Sequence, residues 1–175
     1  MGLNVKNLGR LAVGTAVKTV AKAASRFPHL DREYHIEERL LGPWPNNGPY
    51  LWLHGASLGE CRMLQGLALA LKEDLPDCPK ILITSQKVEV VSFLKDSGEG
   101  AFEVAIAPAD IPSALHSFVS SVQPLGLILA ENELWPGYLS TMSKLSTRRN
   151  VALVSGRYRR SFPFVNFSGM GYAIH

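Results

Sequence analysis

Cysteine is scarce in this 175-residue chain: only Cys61 and Cys78 occur, with no CxxC and no His/Cys metal-ligand spacing. That excludes a disulfide scaffold and a zinc module, and two isolated cysteines read as reduced thiols of a cytosolic protein. No run of 18 apolar residues exists, so no membrane span is expected. The N-terminus has no compact apolar core of a signal peptide, because Lys18 and Lys22 interrupt it. Acidic residues are absent from positions 1–30, where Lys6, Arg10, Lys18, Lys22 and Arg26 give +5. The remaining 13 basic and 15 acidic residues give −2, so the overall +3 belongs to the N-terminal arm. A basic nucleic-acid-binding body is therefore not expected. Internal repeats, low-complexity segments, a P-loop, GxSxG and GxGxxG are all missing.

What is present is an ordinary globular composition, 46% hydrophobic, in a length that fits one domain plus an extension. Residues 1–40 read as a basic helical arm. Within it, residues 13–26 form a modest amphipathic helix, with Val13, Val17, Val20, Ala21 and Ala24 on one arc. Thr15, Lys18, Thr19, Lys22, Ser25 and Arg26 share the other, and Pro28 ends the pattern. Such a helix either lies on an anionic membrane surface, at ~1 kcal/mol per basic side chain, or docks on its own domain. The stretch GPWPNNGP at 42–49 reads as a turn-rich connection setting the arm and the charged segment 31–39 apart from the body.

The body alternates strands and helices. Apolar runs at 50–54, 80–84, 102–106, 125–130 and 150–154 read as strands. Helices are expected near 59–72, 87–96, 111–121 and 135–145. Alternation of this kind implies βαβ units, and runs such as ILI and VALV suit strands covered on both faces. The expected fold is α/β, a Rossmann-like parallel sheet flanked by helices. In such sheets ligands bind beyond the carboxyl ends of the strands. The polar clusters of this chain sit there: His54–Glu60, Thr84–Lys87, Pro108–Asp110, Glu131–Trp135 and Ser155–Ser161.

Three clusters can carry chemistry. In His54-Gly-Ala-Ser57-Leu-Gly59-Glu60 the glycines permit a tight turn and close ligand approach, and Glu60 can act as a general base. Ser57 and Glu60 also have capping-box spacing. Capping is the plainer reading, and the two roles are compatible. His54 reads as a satisfied strand-end histidine. In Glu131-Asn-Glu133-Leu-Trp135-Pro136, two carboxylates can share an acid/base or hydroxyl-binding role; alternatively one of them, or Asn132, caps the next helix. Trp135 reads as a packing residue. Arg157, Arg159 and Arg160 offer guanidinium forks for phosphate or carboxylate, against the plainer reading of a solvated basic loop. Asp110 before Pro112 reads as the cap of the helix that follows it.

Taken in order, HGASLGE, the strand-end Thr84, APADIP, ENELWP and SGRYRRSF resemble the N-terminal half of the 3-deoxy-D-manno-octulosonic acid (Kdo) transferases over about residues 50–162. Those enzymes carry H-x-x-S-x-G-E and E-x-E-L-W-P in that order. This chain departs from the usual pattern at Thr84-Ser-Gln-Lys-Val, at Ser155-Gly156 in place of Asn-Ala, and at Tyr158-Arg159 in place of Leu-Ser. The resemblance implies a GT-B glycosyltransferase of lipopolysaccharide biosynthesis that moves Kdo from CMP-Kdo to a lipid A precursor. It implies no metal or cofactor, with CMP-Kdo as donor substrate, at the cytoplasmic face of the bacterial inner membrane. The matching catalytic base is Glu60, with Ser57, Gly59, Glu131, Glu133 and Arg157 as substrate-binding positions. The acceptor side lies in 50–162. The tail 163–175 is too short for the donor-binding second GT-B domain, so the chain alone is expected to be inactive, with CMP-Kdo held mainly by that missing domain. Two other readings stand beside it: an inactive α/β module binding anionic lipid or a protein partner, and a different GT-B sugar transferase.

Overall fold

The computed structural model describes residues 35–97, 100–145 and 151–156, together with Thr19 and Lys22. The arm helix expected at 13–26, the arginines at 157, 159 and 160 and the tail 163–175 otherwise lie outside the described residues. The elements follow in the order α1 (Ile36–Leu41), β1 (Tyr50–His54), α2 (Leu58–Asp74), β2 (Lys80–Ser85) and α3 (Val88–Ser97). Then come β3 (Glu103–Ile106), α4 (Pro112–Val122), β4 (Pro124–Ala130), α5 (Pro136–Leu145) and β5 (Val151–Val154). The boundaries lie within a residue or two of those the apolar runs and helical periods imply.

The five strands form one parallel sheet in the order β3-β2-β1-β4-β5. Alternation of side chains along each strand sorts the core into two layers. Leu53, Ile81 and Ile83 face α2 and α3, where they meet Cys61, Leu64, Ala68, Val90 and Leu94. Trp52, Leu82, Leu127 and Leu129 face α4 and α5, against Leu115, Phe118, Val122, Tyr138 and Met142. Each fully buried aliphatic or aromatic side chain here contributes about 1.5–3 kcal/mol by leaving water. This is the Rossmann-like α/β architecture, with helices on both faces.

The turn-rich stretch before β1 does not stand off from this body. Leu40 of α1 is buried with Ala114, flanked by Ile36 and Ala109, and Ala109 N–H donates to the Arg39 carbonyl at 2.8 Å. Trp44 is also buried: its Nε1–H donates to the Ile106 carbonyl at 3.1 Å and its ring meets Phe118 edge-on at 5.4 Å. The glycines and prolines of 42–49 make turns, but the large apolar surface of Trp44 decides where the segment goes.

Register aligns the carboxyl ends. His54 lies opposite Thr84 and Leu129, Ser85 opposite Ile106, and Ala130 opposite Val154. Connections from β1 through β2 to β3 run along one face, and the later ones run along the other. The chain therefore reverses its direction of winding between β1 and β4, the place where doubly wound sheets open a ligand crevice.

Candidate functional site

Two loops flank that crevice. The first leaves β1 at Gly55, whose N–H donates to the Thr84 carbonyl at 3.2 Å. A Cβ on Gly55 would lie 3.1–3.3 Å from Glu60, Leu64 and Cys61, so any larger residue would press on the first two turns of α2. Ser57 caps α2 and accepts from Glu60 N–H at 3.2 Å. Glu60 Oε2 in return accepts from Ala56 N–H at 2.7 Å and Ser57 N–H at 3.4 Å. The capping box is thus formed, and it consumes one oxygen of the carboxylate. Glu60 Oε1 has no hydrogen-bond partner among the described residues. Gly59 differs from Gly55: a Cβ there would meet nothing nearer than Ser57 Oγ at 4.0 Å. Packing among the described residues does not require glycine at that position.

The second loop leaves β4 through Glu131, whose N–H donates to the Val154 carbonyl at 2.9 Å. Glu131 sits at φ 49°, a left-handed conformation that costs a non-glycine residue on the order of 1 kcal/mol and that recurs at functional sites. Glu133 N–H then donates to the Ala130 carbonyl at 3.1 Å, closing a tight turn. The Glu133 side chain is mostly enclosed. Its Oε2 accepts from Trp135 Nε1–H at 2.7 Å and lies 3.6 Å from His54 Nε2. The His54 ring beside it is the largest cause that holds the Glu133 carboxyl below the usual carboxylate range; the Trp135 N–H adds to it, and burial opposes both. Oε1 of Glu133, like that of Glu60, has no partner among the described residues.

Beneath the loops, His54 and Thr84 are fully buried. Trp52 Nε1–H donates to Thr84 Oγ1 at 2.8 Å, and Thr84 Oγ1 lies 2.9 Å from His54 Nδ1. Tyr138 covers both rings from α5, at 4.8 Å from Trp52 and 5.1 Å from His54. Its hydroxyl donates to the Pro108 carbonyl at 2.6 Å, and its burial raises its pKa. Cys61 lies under the first loop, donating toward the Gly55 carbonyl at 3.3 Å. Burial pushes its thiol up to about 11, a donation from Ser85 opposes this, and the negative charges of Glu60 and Glu133 add to it.

The structure brings Ser57, Gly59, Glu60, Glu131 and Glu133 to this rim; Arg157 lies outside the described residues. Trp135 packs, with its ring 6.0 Å from Tyr138. One expectation is corrected. Asp110 does not cap α4, whose first turn follows Ile111 with no side-chain cap. Its Oδ2 instead accepts from Gly137 N–H in the first turn of α5 at 3.1 Å. Pro112 removes one of the amides a local cap would serve, while the α5 amide lies across the loop. A side chain on Gly137 would collide with the Asp110 carboxylate, so the glycine and the acid form a pair. His54 is more than a satisfied histidine, because its Nε2 is buried without a hydrogen bond. Its link to Thr84 rests on strand register; the available sequence signal was a polar residue closing each of two otherwise apolar strands. Among the described residues no group of three or more His, Cys, Asp or Glu side chains is placed to hold a metal ion. No described helix is long and apolar enough to cross a membrane.

Comparison with known proteins bears on this crevice. A 3-deoxy-D-manno-octulosonic acid transferase of Chlamydia muridarum (strain MoPn / Nigg) is 25% identical over 129 residues, covering 71% of this chain and 30% of the relative. One of Bordetella pertussis is 32% identical over 121 residues, covering 68% and 28%. One of Haemophilus influenzae (strain ATCC 51907 / DSM 11121 / KW20 / Rd) is 28% identical over 111 residues, covering 63% and 25%. The chain thus spans less than a third of the length of these curated relatives. The family model described as 3-deoxy-D-manno-octulosonic-acid transferase (kdotransferase) matches residues 33–164, from just before α1 through both loops of the crevice and Arg157. By that match, the chain belongs to the N-terminal-domain family of the 3-deoxy-D-manno-octulosonic-acid transferases.

Proposed function

We propose that this chain is the acceptor side of a GT-B glycosyltransferase that moves Kdo from CMP-Kdo to a lipid A precursor in lipopolysaccharide biosynthesis. The observation that carries the reading is the pair Glu60 and Glu133. They stand on opposite loops of the switch-point crevice, each with one oxygen held by protein N–H groups and the other unpartnered among the described residues. A sugar acceptor needs acceptors for its hydroxyl protons and one base at the hydroxyl that reacts.

Glu60 is that base. It takes the proton from a glucosamine hydroxyl as the oxygen attacks the anomeric carbon of Kdo. The new C–O bond forms, the bond from that carbon to the CMP phosphate breaks, and CMP leaves with the electron pair. Ser57 and the Ala56 and Ser57 amides fix the carboxylate for this, and Gly59 leaves room for the sugar. Glu131 and Glu133 accept from neighbouring hydroxyls. Arg157 supplies a fork for the phosphate of the acceptor or the carboxylate of Kdo. The reaction takes place at the cytoplasmic face of the inner membrane, where the basic residues of the first 30 positions attract an anionic surface. CMP-Kdo is held mainly by a second domain, and no metal or cofactor takes part.

A CMP-release assay tests this. The 175-residue chain alone is expected to release no CMP. With a Kdo transferase carboxyl-terminal half added, release is expected and is lost in Glu60→Gln. Turnover by the chain alone, or release that persists in Glu60→Gln, contradicts the assignment.

A further inference from the structure

Thr84 Oγ1 is the centre of a buried chain of polar groups whose direction can be worked out. It accepts from Trp52 Nε1–H, an unambiguous donor, at 2.8 Å. Its single hydroxyl hydrogen then has two acceptors in reach: His54 Nδ1 at 2.9 Å and the Leu53 carbonyl at 3.4 Å. Distance alone does not set the direction, because Nδ1–H donating to Oγ1 with the hydroxyl on the Leu53 carbonyl fits the same contacts; Glu133 on the far side of the ring decides it, by calling for the ring hydrogen on Nε2. The opposite arrangement points a bare Nε2 lone pair at the Glu133 carboxylate, 3.6 Å away, with His54 fully buried and Glu133 mostly enclosed. Two lone pairs facing each other there would be repulsive, and the buried ring nitrogen has no solvent to turn to.

The Nε2–H so placed is buried and has no hydrogen-bond partner, an arrangement rare enough to need a reason. Its nearest acceptor, Glu133 Oε2, is about half an ångström beyond hydrogen-bond range. Catalytic hydrogen bonds are often long in the free protein and tighten when substrate binds. Trp135 Nε1–H already occupies the same oxygen, so both donors converge on Oε2 and leave Oε1 without a partner among the described residues.

We propose that His54 is a positioning residue: the Trp52–Thr84–His54 relay aims an Nε2–H at Glu133 and closes on it when an acceptor hydroxyl donates to Oε1. The carboxylate is thereby kept as a fixed hydrogen-bond acceptor, with Thr84 setting the imidazole tautomer from below. Only the identity of the acceptor rests on the sugar-transfer reading above; the relay stands on the geometry of this chain.

The test is nitrogen-15 NMR of the 175-residue chain labelled at its five histidines, at pH 7.5 and without ligand. His54 is assigned by the signal lost in His54→Gln. It is expected to show a protonated Nε2 and an unprotonated Nδ1. Glu133→Gln is expected to shift the Nε2 signal, Thr84→Val the Nδ1 signal, and Thr84→Ser to restore the parent pattern. Precursor-containing vesicles are expected to move the Nε2 proton further downfield as the bond shortens, and His54→Gln to weaken precursor binding about ten- to a hundredfold, the equivalent of one charge-assisted hydrogen bond. A ring protonated on Nδ1, alone or together with Nε2, overturns the relay, as does an Nε2 signal indifferent to Glu133→Gln. If the tautomer is as expected and precursor does not bind, the relay stands and the sugar-transfer reading fails.

Discussion

Capping and catalysis at Glu60 can be separated by two substitutions on the same hydrogen-bonded ring. Ser57→Ala removes the acceptor that Glu60 N–H uses at 3.2 Å and leaves the carboxylate in place. Losing such a cap costs about 1 kcal/mol, which lowers the melting temperature of a chain of this size by about 2–4 °C. Glu60→Gln does the reverse. A carbonyl oxygen still receives Ala56 N–H, so only the benefit of a negative charge at the helix N-terminus is lost, about 0.3–1 kcal/mol. Its cost to the fold is therefore no greater than that of Ser57→Ala. Its cost to the reaction is the whole of general-base catalysis, about a hundred- to ten-thousandfold. Thermal denaturation of each variant and CMP release with the carboxyl-terminal half supplied read the two axes. The expected pattern is crossed: the less active variant is at least as stable as the more active one. If activity instead falls in step with stability in both variants, Glu60 is a cap and nothing more, and the assignment of the base is refuted.

Three further outcomes follow from the same contacts. Gly137→Ala drives a methyl group into the Asp110 carboxylate and is expected to cost about 1–3 kcal/mol in urea denaturation. In an Asp110→Ala background that cost falls, leaving the contact with Leu115 Cδ1 at 3.0 Å, and equal penalties in both backgrounds would contradict the pairing. Glu133 has a carboxyl pKa lowered by folding, so it contributes stability that is present above the unfolded value of about 4.3 and is lost as pH falls through the folded one. Glu133→Gln is accordingly less stable than the parent at pH 7, and the gap closes in acid; a gap that does not change between pH 7 and 3 refutes the sign. Cys61 is buried with its thiol pushed up to about 11, so a maleimide at pH 7.5 is expected to modify Cys78 and spare Cys61 until the chain unfolds. Modification of native Cys61 at a rate matching Cys78 would contradict its environment.

The parts of this molecule legible in its sequence are the local ones. The apolar runs ILI and LGLILA read as strands because no other element buries an unbroken run so short on both faces. Ser57 and Glu60 read as a capping box because that device is complete within four residues. What escaped depends on register between distant segments. Asp110 serves α5 instead of the adjacent α4 because the amide of Gly137 is brought to it by packing 27 residues away. Trp44, embedded among glycines and prolines, anchors the connection to Ile106, 62 residues on. His54 and Thr84 become one relay only when β1 and β2 pair in parallel with those two residues opposite each other. The carboxylates of the site were visible as residue types at strand ends, and so was the capping box that orients Glu60; the donors that orient Glu133 were not.

On the proposed function, the β1–β4 crevice takes the lipid acceptor and not the nucleotide sugar. The most direct measurement is binding of the chain to three kinds of liposome: neutral lipid, generic anionic lipid, and anionic lipid containing lipid A precursor, with free CMP-Kdo titrated separately. Preference for the precursor vesicles, weakened by His54→Gln, and little affinity for CMP-Kdo are expected. Equal binding to both anionic vesicles, or tight binding of CMP-Kdo, would contradict the proposed function.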